Sequence, residues 1–377
     1  MKPLTKILIV LGLIVSFVGV MTINAFLIAP SNFSIRTETL QDDAIPSSMN
    51  GIKIVYFSDL EFGNNMDEKR LQKLARKITL TNADVIIFGG DVFDSSYTPS
   101  ASDIELVTSF FNDMNAGLGK FAVYGDTDTK SEEMKNTVNS LLYTAGFEVL
   151  ENKSLTVRNH TVDGITVVGL ADNINVAADV ETAYTNISAD PYVITVCHTP
   201  DTADQVPADL TDYFLAGHSL GGKADFGFKA LYTPVKARKY LKGKQTISAS
   251  FILDITNGTG TTGTDVRFMT DPEIVCYILN STEESEEEEP VLPEQDTSTP
   301  QPTAEPEEPA VEEVSEPSAE ETTTEETPQE EVQEETPAEE ENSEAQTETG
   351  DEPAQPAEEA TENPEEPTEA ETENTGE

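Results

Sequence analysis

Asp84-Val85-Ile86-Ile87-Phe88-Gly89-Gly90-Asp91 is the stretch on which the fold turns. Its apolar run, β-branched except for the last residue, suits a strand buried on both faces. Two glycines then let the backbone turn and approach closely, and a carboxylate follows at the strand's carboxyl end. The arrangement recurs on either side. Ile52 to Phe57 (IKIVYF) reads as a buried strand running into Ser58-Asp59-Leu60-Glu61, and Lys120 to Tyr124 runs into Gly125-Asp126-Thr127-Asp128. Helical patterns fill the gaps, over Asp67 to Ile78, about Ser102 to Asn115, and Ser131 to Ala145. Strands alternating with helices in this way argue for βαβ crossovers and a mostly parallel core.

Further along, Phe147 to Leu150, Leu155 to Arg158 and Ile165 to Gly169 are short strands joined by turn signals such as Asp163-Gly164. A helix is expected between Asp179 and Asn186. Tyr192 to Cys197 ends at His198, and Tyr213 to Ala216 runs into Gly217-His218-Ser219-Leu220-Gly221-Gly222. Ile247 to Ile255 and Glu273 to Leu279 read as paired strands around a Gly/Thr-rich turn. These elements predict two stacked sheets with helices on the outer faces. Ligand sites in open α/β sheets form at the carboxyl ends of the strands. Asp59, Asp91, Asp126, His198 and His218 all fall there, and packed together without a cation they would repel. A divalent metal site is the chemistry that this pattern requires.

The order and spacing of these blocks resemble the calcineurin-like metallophosphoesterases, particularly their membrane-anchored bacterial members. That family's pattern runs Asp-x-His, Gly-Asp, Gly-Asn-His-Asp, a lone His and Gly-His-x-His. Here the blocks read Asp59-Leu60-Glu61, Gly90-Asp91, Gly125-Asp126-Thr127-Asp128, His198 and Gly217-His218-Ser219-Leu220, within roughly residues 51–280. The resemblance implies the α/β class and a four-layer α/β/β/α sandwich. It implies one metal position at Asp59, Glu61, Asp91 and Leu220, where leucine cannot coordinate. The other lies at Asp91, Asp126, His198 and His218, all of which can. Thr127 replaces the family histidine that assists the leaving oxygen, and Asp128 is that histidine's orienting partner. The resemblance therefore sets Asp59, Thr127 and Asp128 in catalytic positions, and Asp59, Glu61, Asp91, Asp126, His198 and His218 as metal ligands. One divalent cation is expected, beside a second, incomplete site. Imidazole is absent at positions 61, 127 and 220 while carboxylate stands at 61 and 126, which favours Mn²⁺, Mg²⁺ or Ca²⁺ over Zn²⁺ or Fe. Three functions stay open: a slow phosphoesterase acting on a phosphate mono- or diester, an inactive relative serving as a cell-surface binding module, and an acidic tail that is itself the main functional part with the domain as its anchor.

Composition divides the 377-residue chain unevenly. From Thr282 to Glu377 there is no Lys, Arg, Phe, Tyr or Trp, yet that stretch holds 38 of the 71 acidic residues. Without large apolar groups it cannot offset the entropy of ordering, so disorder is expected there. The remainder carries 33 acids against 22 bases, far from the whole-chain charge of −49. Lys2 and Lys6 precede an uncharged run from Ile7 to Ala29. As a helix rising about 1.5 Å per residue, it can cross a bilayer core of roughly 30 Å. The flanking lysines place the N-terminus in the cytoplasm and the rest outside. An uncleaved anchor is preferred over a signal peptide cut near Ala25, since no small-x-small site is present. The expected organisation is 1–29 cytoplasmic start and anchor, 30–50 linker, 51–280 phosphoesterase domain, and 281–377 disordered acidic tail.

Cys197 and Cys276 lie in apolar runs and read as buried thiols rather than a disulfide framework. His160, in an Asn-His turn, reads as a surface residue. Lys236, Arg238, Lys239, Lys242 and Lys244 form a basic run that could draw in an anionic substrate, a lipid headgroup or the acidic tail, or could simply be solvated. The expected partners are a phosphate-ester substrate, the membrane through the N-terminal helix, and cell-surface components for the tail. The acidic balance and the lack of a nucleic-acid motif exclude nonspecific nucleic-acid binding.

Overall fold

The computed structural model describes residues 2–188, 191–227, 229–248 and 251–282. Residues 283–377, nearly all of the expected acidic tail, lie outside the described residues. The first half of the chain forms α1 (Pro3–Ile23), β1 (Ser34–Asp42), β2 (Lys53–Phe57), α2 (Glu68–Thr79), β3 (Val85–Phe88), α3 (Ala101–Asn112), β4 (Gly119–Ala122) and α4 (Glu132–Thr144). The second forms β5 (Glu148–Val149), β6 (Lys153–Arg158), β7 (Gly164–Gly169), α5 (Val180–Ala183), β8 (Val193–Val196), β9 (Tyr213–Ala216), β10 (Gly243–Thr246), β11 (Ile252–Ile255) and β12 (Glu273–Ser281). Two six-stranded sheets result, with orders β1-β12-β2-β3-β4-β5 and β10-β11-β9-β8-β7-β6. In the first, β2 to β5 pair parallel and β12 runs antiparallel to β2. In the second, β7, β8, β9 and β11 are mutually parallel.

Alternation along each strand sends neighbouring side chains to opposite faces. Ile54, Tyr56, Val85 and Ile87 face Ile165, Val167, Ile194 and Leu215 between the sheets. Val55, Phe57, Ile86 and Phe88 turn the other way, onto Leu71 and Leu74 of α2, Phe110 and Phe111 of α3, and Leu141 of α4. The outer face of the second sheet is covered more thinly, by Ala183 and Tyr184 around α5 and by Ala203 and Val206. The layers are α/β/β/α. Helices α2, α3 and α4 start on Asp67, Ser100 and Ser131, whose side chains accept backbone N–H groups. Each such cap stabilises by about 1 kcal/mol.

Three expectations need correction. Residues 30–50 are not a linker: Ser34–Asp42 is β1, an edge strand parallel to β12. Arg36 on β1 reaches the second sheet, where it grips the fully buried Asp254 with two bonds of 2.9 Å. Ile247 to Ile255 and Glu273 to Leu279 are not paired. Only Ile252–Ile255 is a strand there, and it lies in the second sheet, while β12 lies in the first. Apolar alternation specifies which face is buried but not which strand is the neighbour, so two adjacent runs were open to either outcome. The helix expected over 179–186 is a single turn, ending before Asn186 at φ 66°.

Both cysteines are free and buried, and His160 is exposed. Pro3–Ile23 continues through a wider turn at Asn24–Ile28 into Ala29–Ser31, forming a helix long and apolar enough to cross a membrane.

Candidate metal centre

Five loops leave the carboxyl ends of β2, β3, β4, β8 and β9 and meet in one place. They are laced together by backbone bonds: Asp59 N–H donates to Gly90 O, Glu61 N–H to Asp91 O, and Gly217 N–H to His198 O. Asp59, Glu61, Asp91, His218 and Leu220 all hold positive φ, between 49° and 66°. Non-glycine residues rarely adopt this region, and clusters of them mark sites where strain is offset by surrounding structure. At Gly125 any side chain would run into the Asp91 carboxylate, and at Gly217 into Ser58 and Asp59. Those two glycines let the loops close on the carboxylates.

His198 and His218 are each committed at one ring nitrogen. His198 Nδ1 lies 2.7 Å from Gly89 O, and His218 Nε2 lies 2.8 Å from Val235 O. A carbonyl only accepts, so each of those nitrogens carries a proton, and the second ring nitrogen is left to face the carboxylates. His198 Nε2 stands 3.1 Å from Asp91 Oδ2 and 3.4 Å from Asp126 Oδ1, and His218 Nδ1 stands 3.1 Å from the same Asp126 oxygen. Donor atoms of Asp91, Asp126, His198 and His218 all fall within 4.8 Å of one another. His198 Nε2 and Asp126 Oδ1 are buried with no hydrogen-bond partner. A buried orphan pair of this kind fits a cation held between them.

A second group shares Asp91. Asp59, Glu61 and Asp91 also bring donor atoms within 4.8 Å, and Glu61 Oε2 is buried without a partner. Here no imidazole contributes. Leu220 is buried and, like Asp59, lines the space at Gly258, where an added side chain would meet Asp59 Cβ at 2.8 Å and Leu220 Cδ2 at 3.0 Å. Asp59 itself is engaged at both oxygens, by Ser58 Oγ and by the His218 backbone N–H at 2.9 Å.

The electrostatics follow from this crowding. Burial, then repulsion from Asp91 and Asp59, drives the Glu61 carboxyl well above its ordinary range. Burial also raises Asp59, with Asp91 adding to the rise and His198 opposing it. Burial alone would raise Asp126, but the adjacent His198 and His218 rings hold it far below the usual carboxylate range. Burial pulls the His198 imidazole down, and Asp91 and Asp126 more than reverse that. The cluster calls for positive charge.

Thr127 and Asp128 support Asp91. The Thr127 backbone N–H and hydroxyl both donate to Asp91 Oδ1 at 2.9 Å. Asp128, expected in a catalytic position, accepts three backbone N–H groups, from Asp91, Val92 and Gly125, at 2.8 to 2.9 Å. It is a positioning residue. Burial and the neighbouring Asp91 raise its carboxyl to about 7, against those three N–H donors.

Two residues escaped the sequence reading. Arg267 is fully buried and donates to the carbonyls of Leu220, Asn257, Thr270 and Gly260. Asp94, three positions after Asp91, is buried with Oδ2 unpartnered. Arg267 lies in a segment without periodicity and gave no signal. Asp94 could have been found from its acid-x-x-acid spacing. Of the basic run, Lys239 pairs with Asp204, Lys242 with Asp225 and Lys244 with Glu38.

No family model matches the chain. An uncharacterized metallophosphoesterase of Bacillus subtilis is 27% identical over 67% of this chain and 87% of its own length. The transmembrane protein with metallophosphoesterase domain of Danio rerio is 25% identical over 64% of this chain and 55% of its own length. The UDP-2,3-diacylglucosamine pyrophosphatase of Chlamydia muridarum is 24% identical over 46% of this chain and 64% of its own length. Donors thus converge from five strand ends, and in sequence the chain is similar to metallophosphoesterases.

Proposed function

We propose that the chain is a metal-dependent phosphoesterase at the outer face of a membrane, hydrolysing a phosphate mono- or diester with one divalent cation. The reading rests on one observation above all: both histidines spend one nitrogen on a backbone carbonyl and turn the other toward Asp126. Asp91, Asp126, His198 and His218 would hold the ion. When bound, it would lower the pKa of a water and polarise a phosphoryl oxygen. Mn²⁺, Mg²⁺ or Ca²⁺ is preferred over Zn²⁺ or Fe, given the carboxylates at 61 and 126. The chain's own residues do the remaining work. Asp126, with 28% of its side chain exposed, is the member a substrate can reach. Asp59 fixes the His218 backbone, and Thr127 and Asp128 hold Asp91.

The rate is expected to be low. Thr127 stands where the family histidine would protonate the leaving oxygen, and its hydroxyl is already donated to Asp91, so good leaving groups are favoured. The pyrophosphatase among the relatives brings a diphosphate, a phosphoanhydride, into range beside the two kinds of ester. Lys2 and Lys6 argue for a cytoplasmic N-terminus and a single, uncleaved span, which puts the domain and the acidic tail outside, the tail facing cell-surface components.

A binding module without catalysis is the second reading. Leu220, buried and unable to coordinate, favours it. The two separate in an assay of the full chain in detergent on bis(p-nitrophenyl) phosphate with Mn²⁺, Mg²⁺, Ca²⁺ and Zn²⁺. Turnover that needs metal and disappears in Asp91→Ala supports the enzyme. Silence with every metal leaves the binding module.

A further inference from the structure

The end of the apolar helix and two loops near the metal centre enclose a groove of about 440 Å³. Phe17, Val18 and Met21 form one wall, and Phe226, Leu231 and Phe268 form the other. Its size is that of a small-molecule site. Depth identifies what it meets. Counted from Ile7, the roughly 20 residues needed to cross the hydrocarbon layer reach Phe26, so the helix wall lies inside that layer. The facing wall sits at the same depth, and Leu231 and the nearby Met269 are 59% and 77% exposed. Apolar side chains so placed face acyl chains rather than water.

The groove also lies close to the metal centre. Arg267 donates its backbone N–H to Ala25 O at 2.9 Å, at the end of the helix. Its guanidinium donates to Leu220 O at 2.7 Å, two residues past His218. One arginine side chain therefore separates the helix from the loop that carries a metal ligand. Ala224, four residues beyond Leu220, bridges to Phe268 and closes the groove at that end.

We propose that the groove takes an acyl chain of a membrane lipid, so that the ester offered to the metal centre is carried on a lipid headgroup. The first half stands on the groove alone; the second rests on the phosphoesterase reading. Because the chain has no tryptophan, Leu231→Trp gives a lone reporter. In phosphatidylcholine vesicles with dibrominated acyl chains, its fluorescence should fall by about half or more, since bromine quenches only at contact depth. Val162→Trp, at an exposed turn of the domain, should not change. An unquenched Leu231→Trp reporter overturns the proposal. So does one shielded in proportion to protein density, which would give the groove to a second copy.

The substrate half is read with two esters and Mn²⁺. Full-length protein in vesicles should prefer p-nitrophenyl dodecyl phosphate over bis(p-nitrophenyl) phosphate. Phe226→Asp and Leu231→Asp should lower kcat/KM for the dodecyl ester about tenfold or more and leave the other ester unchanged. Equal loss on both esters, or none, overturns the lipid substrate. Quenching without turnover of either ester overturns the phosphoesterase reading while sustaining the lipid groove.

Discussion

The two halves of the metal centre share Asp91 and differ in almost everything else. On one side, His198 and His218 turn their second ring nitrogens to Asp126, which is partly open to solvent. On the other, Asp59, Glu61 and Asp91 are sealed from water, and the buried Leu220 offers no donor. A bound cation relieves the first half. In the second, burial and the neighbouring carboxylates raise the Glu61 carboxyl toward its neutral form, and the buried Arg267 lends long-range positive charge to Asp59. Similar acid content thus yields two chemistries, decided by whether imidazoles accompany the carboxylates.

Removing the shared residue is the severest way to break this contrast. Asp91→Asn takes the shared charged ligand from both halves and leaves the backbone N–H of residue 91 bonded to Asp128. Metal-dependent hydrolysis of bis(p-nitrophenyl) phosphate should fall by about 10³-fold or more. The folded state is checked by circular dichroism, and activity retained within about tenfold would refute the assignment.

Next in size is His198→Gln, which spares Asp91 but removes the buried lone pair. Mn²⁺ affinity measured by titration calorimetry should fall by at least about 100-fold, as expected when a fixed ligand is lost. A loss below about threefold would move the cation away from this half.

How much of this contrast was legible beforehand depends on which kind of signal carried it. The buried strands 85–88 and 53–57 could be read because parallel strands covered on both faces are apolar throughout, and polar residues then mark their ends. His198 and His218 could be placed by block order. The carbonyls of Gly89 and Val235 that set their tautomers could not, because backbone acceptors leave no mark in sequence. Arg267 was invisible for a related reason: its partners are all carbonyls. Strand pairing beyond residue 247 was misread because β11 and β12 are neighbours in sequence and belong to different sheets.

Leu220→His tests whether the second half lacks only its fourth donor. The variant should bind a second Mn²⁺, raising the stoichiometry found by elemental analysis from one to two, with turnover rising about tenfold. Leu220 has φ 52°, a strain the native residue already bears, so the backbone needs no rearrangement. An unchanged stoichiometry would mean that Arg267 and the turn at 257–260 exclude a cation regardless of the donors.

The smallest effect is expected from Glu61→Gln, and its sign is informative. Glu61 is fully buried and its carboxyl is raised above the ordinary range by burial and by Asp91 and Asp59. A folded-state pKa above the unfolded value favours folding at low pH, and that contribution is lost as pH rises past the unfolded value near 4.5. Glutamine keeps the shape and never ionises. The chelated variant should therefore match the parent near pH 4 and exceed it near pH 7.5 in urea denaturation. Mn²⁺ affinity of the histidine half should change less than about threefold. If the variant is instead less stable at pH 7.5 and loses metal, Glu61 is an ionised ligand, and the two halves act as one binuclear centre.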